Sequence, residues 1–406
     1  MKADRIDVAV DWAGATCPVG VLHAAEHGQS VVFEYLPTWL ARPDAFAVDP
    51  TALPLIPGPF HSPRLCGAFA DAGPDRWGRI LVERAVRHRV LPHRPYRDID
   101  HLLAVDDAAR IGALRFRRAS EALYQGVSSG TIPPLVRLRE LMAATDAIHA
   151  DTATAKDLRF LLGAGSPVGG ARPKCLVQLP DGRLSIAKFP KPDDVRDVPA
   201  GEVLGLAVAR AAGVRTAEYR LIAVAGRSVA VITRFDRVGT ARIPFVSAAT
   251  VLGLTGDDPG AYTRLADAIR AHGDAVASDL AELWRRLVFS LLAHNDDDHM
   301  RNHGFLMHRA GAWSLSPAYD INPTPLVDRA RQPKTPVSEH SPAMLDGNAA
   351  LAEALSNAAR FGLDPDAARS IVAEVRAAIG RWRAIGRDLG IAAVTLDAYA
   401  DAFETD

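Results

Sequence analysis

The chain has 406 residues, with 47 Lys and Arg against 48 Asp and Glu, and its formal net charge is -1. A chain of this length is expected to form about two or three domains, each with its own core. The near-zero charge gives no overall basic field for nucleic acid. Apolar residues make up 48% and charged residues 23% of the chain, which excludes wholesale disorder, collagen-like repeats and a coiled-coil rod.

Cysteine usage and hydropathy limit the class of protein further. The three cysteines, Cys17, Cys66 and Cys175, are far apart and form no C-x-x-C pair, so we expect neither a disulfide framework nor a cysteine zinc site. Residues 1–7 become polar at once, and the chain contains no run of about 18 apolar residues. The sequence therefore predicts a soluble, cytoplasmic protein without membrane contact.

Short β-type runs broken by Pro and Gly fill the first part of the chain. Residues 8–10, 19–22 and 31–35 predict strands of a small mixed sheet, and the spacing of apolar residues predicts a helix over 75–87. We assign residues 1–110 to this N-terminal α/β domain.

Residues 111–150 predict a linker with a helix. The middle third that follows is predicted to be rich in strands. Two strands flank a turn at Asp181-Gly182, a helix follows and ends at Gly213, and two further strands come next. The predicted elements are strands over 174–179, 184–189, 219–224 and 228–233 and a helix over 201–212. These elements assign residues 151–237 to a second, β-rich unit.

The last part of the chain, residues 238–406, is predicted to be mostly helical. Its clearest signal is a run of apolar residues with the spacing i, i+3, i+4, i+7, i+8 and i+11, which indicates the buried face of a helix. These residues are Leu280, Leu283, Trp284, Leu287, Val288 and Leu291.

The densest polar cluster, residues 294–303, follows that helix and contains three adjacent Asp residues. Adjacent carboxylates repel one another, so a metal ion or a cationic group is expected to compensate them, unless the loop is merely solvated. Asp297 and Asn302 stand five residues apart, which is the D-x-x-x-x-N spacing of the protein-kinase catalytic loop. In that loop the Asp accepts the proton of the substrate hydroxyl and the Asn holds Mg²⁺.

Other polar residues follow the order that a kinase needs. Asp320 ends a strand-like run eighteen residues after Asn302, where kinases place another Mg²⁺-binding Asp. Lys188 lies in an apolar strand, where an unpaired Lys is costly, and Glu202 in the next helix is its candidate partner. Each residue also has a plainer interpretation: a turn residue for Asp320, an edge-strand Lys for Lys188 and a first-turn carboxylate for Glu202.

A glycine-rich segment, residues 163–174, precedes the strand of Lys188. Glycines let backbone N–H groups approach phosphate oxygens, which favours a phosphate-binding role. No G-K-[ST] ends the segment, so it is no Walker A loop, and a flexible loop remains the alternative interpretation.

Taken together, these motifs resemble the HipA family of serine/threonine kinases, the toxins of type II toxin–antitoxin modules. The resemblance covers nearly the whole chain. The matching motifs are F-x-x-x-x-P-D-x-W-G at 69–78, GGARPK at 169–174, ITRFDR at 232–237, N-x-D-D-H-x-x-N at 295–302 and PAYD at 317–320. The resemblance implies an α+β fold, in which the small N-terminal mixed α/β domain is followed by a kinase-like fold with a β-rich N-lobe and an all-helical C-terminal lobe.

The resemblance also implies ATP and Mg²⁺ as cofactors and a role for each matching residue. Asp297 is implied as the catalytic base, Asn302 and Asp320 as Mg²⁺ ligands, and Ser166 as an autophosphorylation site. The implied ATP contacts are Gly169, Gly170, Ala171, Arg172, Pro173, Lys174, Lys188, Glu202, Thr233, Arg234, Phe235, His299, Asn302, Tyr319 and Asp320, and those at 233–235 are implied to line the adenine hinge. The implied partners are a HipB-like helix-turn-helix antitoxin, DNA only indirectly through that antitoxin, and a protein substrate such as an aminoacyl-tRNA synthetase.

The sequence departs from the family pattern at three places. Asp296 stands where Gly is common, Gly73 stands where the N-terminal signature has Leu, and the loop from Ser166 to Gly170 is one residue longer than in many members. These departures bear on the phosphate contacts and on the role of Ser166. The polar loop at 335–340 either borders the site or is plain surface.

Three other functions compete with a growth-arresting protein kinase. A small-molecule phosphotransferase on the same fold shares the Asp/Asn motif, but the D-x-W-G motif at 75–78 favours the toxin family. An inactive kinase-like co-repressor acting through an antitoxin is opposed by the presence of the lysine, the Asp/Asn pair and the metal Asp. A metal hydrolase built on the His and Asp residues of 294–303 lacks an H-E-x-x-H motif and leaves the glycine-rich segment unexplained.

Overall fold

The computed structural model describes residues 4–24, 30–124, 132–164, 170–326, 333–342 and 347–404. The strands in these ranges are β1 (Asp4–Trp12), β2 (Ala15–Ala24), β3 (Val31–Tyr35), β4 (Pro59–Ser62), β5 (Leu114–Arg118), β6 (Lys174–Gln178), β7 (Leu184–Lys188), β8 (Tyr219–Val224), β9 (Arg227–Thr233), β10 (Arg237–Val238), β11 (Ala241–Arg242), β12 (Phe245–Ser247), β13 (Gly304–Arg309) and β14 (Ala312–Leu315).

The helices in the same ranges are α1 (Pro37–Leu40), α2 (Gly67–Asp71), α3 (Arg76–Arg87), α4 (Asp98–Ala104), α5 (Leu138–His149), α6 (Ala155–Gly163), α7 (Val198–Ala211), α8 (Ala248–Val251), α9 (Tyr262–His272), α10 (Val276–Leu292), α11 (Gly347–Ser356), α12 (Pro365–Ile379), α13 (Trp382–Asp388), α14 (Ala393–Asp397) and α15 (Ala400–Phe403). Short 3-10 turns cover Leu135–Arg137 and Ala358–Phe361. None of the helices in the described ranges has both the length and the apolar character that a membrane crossing requires.

The N-terminal domain is built on a five-stranded antiparallel sheet with the order β4-β3-β2-β1-β5. Ile6, Val8 and Val10 of β1 are buried, and so is Ala9, where the pairing of β1 with β2 shifts register. Strand β5 pairs with β1. The segment predicted as a linker from residue 111 therefore begins with a strand of the first sheet.

The middle of the chain forms a four-stranded antiparallel sheet with the order β6-β7-β9-β8. The predicted hairpin turn between β6 and β7 is confirmed, and Gly182 there has a φ of 85°, which a residue with a side chain adopts at a cost. Helix α7 starts three residues before the predicted start at residue 201. The earlier start follows from Asp197, which caps the helix by accepting from the N–H of Ala200, and from a proline in the first turn.

The C-terminal part is mostly helical, and the predicted apolar face of α10 is confirmed by the full burial of Leu283, Trp284, Leu287 and Val288. The part also contains a three-stranded antiparallel sheet with the order β12-β13-β14. The expectation of an all-helical C-terminal lobe is therefore wrong in this detail. The polar cluster at 294–303, called here the acidic loop, connects α10 to β13.

Helix α3 joins the N-terminal domain to the middle sheet. Its residues Trp77 and Leu81 pack in one buried cluster with Leu161 of α6, Cys175 of β6 and Phe189, which follows β7. The two units therefore share a core. All three cysteines are buried and free.

Candidate active site

A cavity of about 400 Å³ lies where β7, α7, the acidic loop and the residues after β14 meet. We call it the lysine cavity because Lys188 lies in its wall. The predicted site residues that line it are Gly170, Ala171, Arg172, Lys174, Lys188, Glu202, Asp297 and Asp320. The fold thus brings together residues that are more than 100 positions apart in the chain.

Lys188 is the last residue of β7 and forms the centre of a partly buried ionic triad. Its Nζ lies 2.5 Å from Glu202 Oε1 and 2.7 Å from Asp320 Oδ1. Burial alone would lower the pKa of the Lys188 ammonium, but the attraction of Asp320 and Glu202 outweighs burial and raises that pKa. The lysine is therefore charged, and it faces two carboxylates at once.

Asp320 has an unusual backbone conformation and a firmly ionised side chain. Its φ of 57° lies in the left-handed region, which a non-glycine residue adopts only at a cost. The side-chain amide of Asn322 donates to Asp320 O at 3.1 Å and to Asp320 Oδ1 at 3.2 Å, which holds this conformation. Burial would raise the pKa of Asp320, but Lys188 and Lys174 outweigh it and hold that pKa below its usual range.

The three adjacent carboxylates of the acidic loop have separate environments, so they do not form one repelling group. Asp298 is buried and accepts hydrogen bonds from the Tyr262 hydroxyl and, at 3.3 Å, from the Ser290 hydroxyl, and its Oδ2 lies 3.1 Å from His303 Nε2. Burial raises the pKa of Asp298, but the neighbouring His303 outweighs burial, and the net shift is downward. Asp298 therefore supports the loop, while Asp297 remains exposed at the cavity.

Asn302 supplies an oxygen without a protein partner. Its Nδ2 donates weakly to Asp297 O at 3.4 Å, whereas its buried Oδ1 has no hydrogen-bond partner. Asn302 lines a small cavity of about 20 Å³ together with Tyr319 and Ile321, the two neighbours of Asp320. A buried carbonyl oxygen left unpaired costs free energy, so this position favours a bound cation or a water.

The described residues contain no group of three or more His, Cys, Asp or Glu side chains placed to hold a metal ion. Mg²⁺ usually takes one or two carboxylates and keeps waters or phosphate oxygens for its other positions. The carboxylate of Asp320 and the amide oxygen of Asn302 are oxygen donors of the kind that Mg²⁺ accepts, although Asp320 lines the lysine cavity and Asn302 the small one.

The glycine-rich segment is described from Gly170 onward, and Ser166 and Gly169 lie outside the described residues. Gly170, Ala171 and Arg172, which the sequence predicts to contact ATP, line the lysine cavity. The Lys174 ammonium donates to Asp75 Oδ2 at 2.6 Å, and both side chains are almost fully buried. The lysine predicted to touch phosphate thus has a carboxylate partner in the N-terminal domain.

Arg234 and Phe235, two of the predicted hinge residues, have different surroundings. The guanidinium of Arg234 is buried, pairs with Asp236 and donates to the carbonyl oxygens of Ala109 and Arg110, each at 2.8 Å. We therefore correct the assignment of the Arg234 side chain to ATP contact: it joins the middle unit to the N-terminal domain. The Phe235 ring packs against Tyr319, with 5.4 Å between the ring centroids.

Two further predicted contacts lie apart from the lysine cavity. Thr233, at the end of β9, accepts a hydrogen bond from the Ser185 hydroxyl at 3.4 Å. His299 lines a different cavity of about 620 Å³, between the N-terminal and C-terminal domains. The structure therefore gives no support from geometry to a role of His299 beside Lys188.

Sequence reasoning missed several residues of the lysine cavity, among them Lys334. Lys334 lines the cavity, and its Nζ pairs with Asp297 Oδ1. Its backbone N–H donates to Asp296 O at 3.0 Å, and the Thr335 hydroxyl donates to Asp298 O at 2.9 Å. The polar loop at 335–340, which the sequence placed either beside the site or on plain surface, therefore begins directly against the acidic loop.

The fold and the site define a kinase-like protein with an additional N-terminal domain. A family model of the HipA-like C-terminal domain matches residues 166–382, and a model of the HipA N-terminal domain matches residues 12–117. The first model alone covers more than half of the chain. The chain belongs to the HipA family, as the resemblance of its motifs implied.

Individual relatives are distant. The HipA of a Shewanella oneidensis MR-1 toxin–antitoxin system, solved with HipB and its operator DNA, overlaps 98% of this chain and 94% of its own, with a TM-score of 0.69 and 15% identity. The Helicobacter pylori proinflammatory kinase CtkA overlaps 58% of this chain and 90% of its own, with a TM-score of 0.39 and 16% identity. The putative kinase Y4dM of Sinorhizobium fredii (strain NBRC 101917 / NGR234) is 29% identical over 174 residues, and the alignment spans 39% of this chain and 39% of that relative.

Proposed function

We propose that this protein is an ATP- and Mg²⁺-dependent serine/threonine-protein kinase of HipA type. The observation that carries the proposal is the triad of Lys188, Glu202 and Asp320 in the same cavity wall as Asp297. A lysine fixed by a helix carboxylate, with a separate exposed Asp nearby, provides the charges that phosphoryl transfer requires. The membership of the HipA family supports this choice.

The proposal gives five residues of the candidate site distinct tasks. Lys188 contacts phosphate oxygens as a point charge, and Glu202 holds its side chain in place. Asn302 and Asp320 bind Mg²⁺, which neutralises the phosphate charge. Asp297 accepts the proton of the attacking hydroxyl, because it is the carboxylate left exposed at the cavity.

Membership of the HipA family supports a proposal for the biological role. We propose a toxin of a toxin–antitoxin system that works in the cytoplasm with a HipB-like helix-turn-helix antitoxin and reaches DNA only through that partner. The Shewanella HipA, which shares this fold, was solved in an assembly of that kind, with HipB and its operator DNA. The proposed substrate is a protein such as an aminoacyl-tRNA synthetase, and Ser166 is the proposed autophosphorylation site.

The test is labelling of a cell lysate with γ-labelled ATP and Mg²⁺, comparing wild type with Asp297→Asn, followed by mapping of the phosphorylated residues. We expect serine or threonine phosphorylation that falls about 10²–10⁴-fold in the variant, which is the usual cost of losing a positioned base. Label found only in small molecules would instead favour the phosphotransferase alternative. Equal transfer by wild type and a folded Asp297→Asn would overturn the assignment of the base.

Intact-mass analysis addresses autophosphorylation separately. Wild type incubated with Mg·ATP is expected to gain the mass of one phosphate, while Ser166→Ala and Asp297→Asn are not. A phosphorylated Ser166→Ala protein would place the modified residue elsewhere.

A further inference from the structure

The first residue of the D-x-W-G motif contacts the glycine-rich segment directly. Asp75 is the N-cap of α3 and accepts from the Gly78 N–H at 2.8 Å through Oδ1. Its other oxygen, Oδ2, accepts from Lys174 Nζ at 2.6 Å. The helix cap thus fixes the orientation of the carboxylate that the lysine reaches.

This ion pair is buried, because the Lys174 side chain is 2% exposed and the Asp75 side chain 4% exposed. A lysine with so little contact with water is stable as a charged group only when it stays paired. Two of the three N–H donors of the Lys174 ammonium are directed at Asp75 Oδ2 and Gly170 O, which leaves at most one donor for a phosphate oxygen. The geometry instead gives Lys174 a fixed place between two domains.

The pair also fixes the backbone at the cavity wall. Lys174 Nζ donates to Gly170 O at 3.3 Å, and the N–H of Trp77 points at the same oxygen at 3.4 Å. Gly170 has a φ of 83°, a conformation that favours glycine. Asp75, Trp77 and Lys174 together therefore decide which way the Gly170 peptide faces.

We propose that Asp75 and Lys174 are positioning residues through which the N-terminal domain shapes the phosphate-binding end of the lysine cavity. The proposal rests on the ATP-dependent function proposed above. It assigns the N-terminal D-x-W-G motif a task in nucleotide binding and gives Lys174 an indirect role in place of phosphate contact.

The test uses the full-length chain with the isosteric substitutions Asp75→Asn and Lys174→Met and their double variant. Asn is also a good helix N-cap, so the start of α3 is retained. We expect each single variant to bind Mg·ATP about tenfold more weakly in calorimetric titration, the size expected from losing roughly one charge-assisted contact. The affinity for adenosine, which has no phosphates, is expected to stay unchanged, and the double variant is expected to resemble the single variants.

Asp71→Asn is the matched control, because Asp71 is a buried N-terminal-domain carboxylate that accepts from Ser247 and Thr250 in the C-terminal part and lines the other cavity. It is expected to change thermal stability without this selective loss of Mg·ATP affinity. Lys174→Arg, which keeps the charge, replaces Lys174→Met if the latter does not fold, and partial retention of affinity is expected.

Three results would overturn the proposal. A loss in Lys174→Met with wild-type affinity in Asp75→Asn would make Lys174 a direct ligand. An equal loss for adenosine and Mg·ATP would make the pair merely structural, and unchanged Mg·ATP affinity in all variants would remove its role. Failure of the wild type itself to bind Mg·ATP would refute the proposed function, and with it this inference.

Discussion

The charged side chains of the lysine cavity form ion pairs with one another. The single positive charge of Lys188 is shared between Glu202 and Asp320, and Lys334 pairs with Asp297. If Mg²⁺ and a polyphosphate bind, the carboxylates would contact the metal ion and the lysines would contact phosphate oxygens. Each side chain would then still have a partner of opposite charge. The cavity therefore already contains the cationic and anionic side chains that a ligand with both positive and negative groups requires.

Lys188→Ala and Asp320→Ala are each expected to weaken Mg·ATP binding by about tenfold or more, because each removes one charged contact to phosphate or metal. Lys188→Ala also leaves Glu202 and Asp320 without their shared cation, so its thermal stability is expected to fall. Calorimetric titration measures the affinity and differential scanning calorimetry the stability. Wild-type affinity in both variants would contradict the assigned site.

Lys334→Met is expected to lower kcat by about 10–10³-fold with little change in Mg·ATP affinity, because a cation beside the base stabilises charge that develops during transfer. Lys156→Met is the control, since Lys156 is an exposed lysine of α6 distant in sequence from the acidic loop. Steady-state kinetics with any protein substrate found by labelling would measure the effect. If Lys334→Met and Lys156→Met have the same kcat, Lys334 makes no contribution to phosphoryl transfer.

The sequence alone was enough to predict site residues that can be recognised from the residues around them in the chain. Lys188 in an apolar strand, Asp297 five positions before Asn302, and Asp320 after a hairpin are all recognisable from their neighbours in the chain. Lys334 was missed because its pairing with Asp297 depends on how a distant loop folds back. Lys174 was assigned to phosphate for the same reason, since nothing local reveals its partner almost 100 residues earlier.

At the scale of elements, local signals predicted helices and hairpins well and tertiary pairing poorly. The i, i+3, i+4 pattern of α10 and the Asp-Gly turn of β6 and β7 depend on neighbours in sequence. Strand β5 pairs with β1, and β13 pairs with β12 about 60 residues earlier. Such pairs leave only weak patterns in each strand, so β5 was included in a linker and β13 in a helical lobe.

The segment after β9 is held to the N-terminal domain by Asp236. Its Oδ2 accepts from the Gly112 N–H at 2.7 Å, and its carboxylate pairs with Arg234 and Arg237. Burial would raise the pKa of Asp236, but the two arginines outweigh it and lower that pKa to about 2. Because the folded pKa is depressed, this carboxylate contributes stability above its ordinary pKa, and the contribution is lost as pH falls toward about 2.

Asp236→Asn is therefore expected to lower the free energy of unfolding at neutral pH by about 3–5 kcal/mol, because it leaves buried guanidinium groups without their counter-charge. The difference from wild type is expected to shrink as pH is lowered from about 4 toward 2, since the wild-type carboxylate then becomes protonated. Urea unfolding of both proteins at several pH values measures this difference in the free energy of unfolding. A difference that does not change with pH would mean that the substitution acts through packing and not through charge.

At the scale of the whole molecule, the N-terminal domain and the middle sheet share one buried cluster, so we expect them to unfold together. Trp77 is nearly fully buried in that cluster, and Trp77→Ala is expected to cost about 3–5 kcal/mol, the usual range for removing a large aromatic side chain from a core. Differential scanning calorimetry is expected to show one cooperative transition for these units, and Trp77→Ala is expected to lower its midpoint. Val394→Ala is the control, because Val394 is 77% exposed and its truncation should leave the midpoint unchanged. Two separate transitions, of which Trp77→Ala moves only one, would show that the domains fold independently and that α3 is a surface contact.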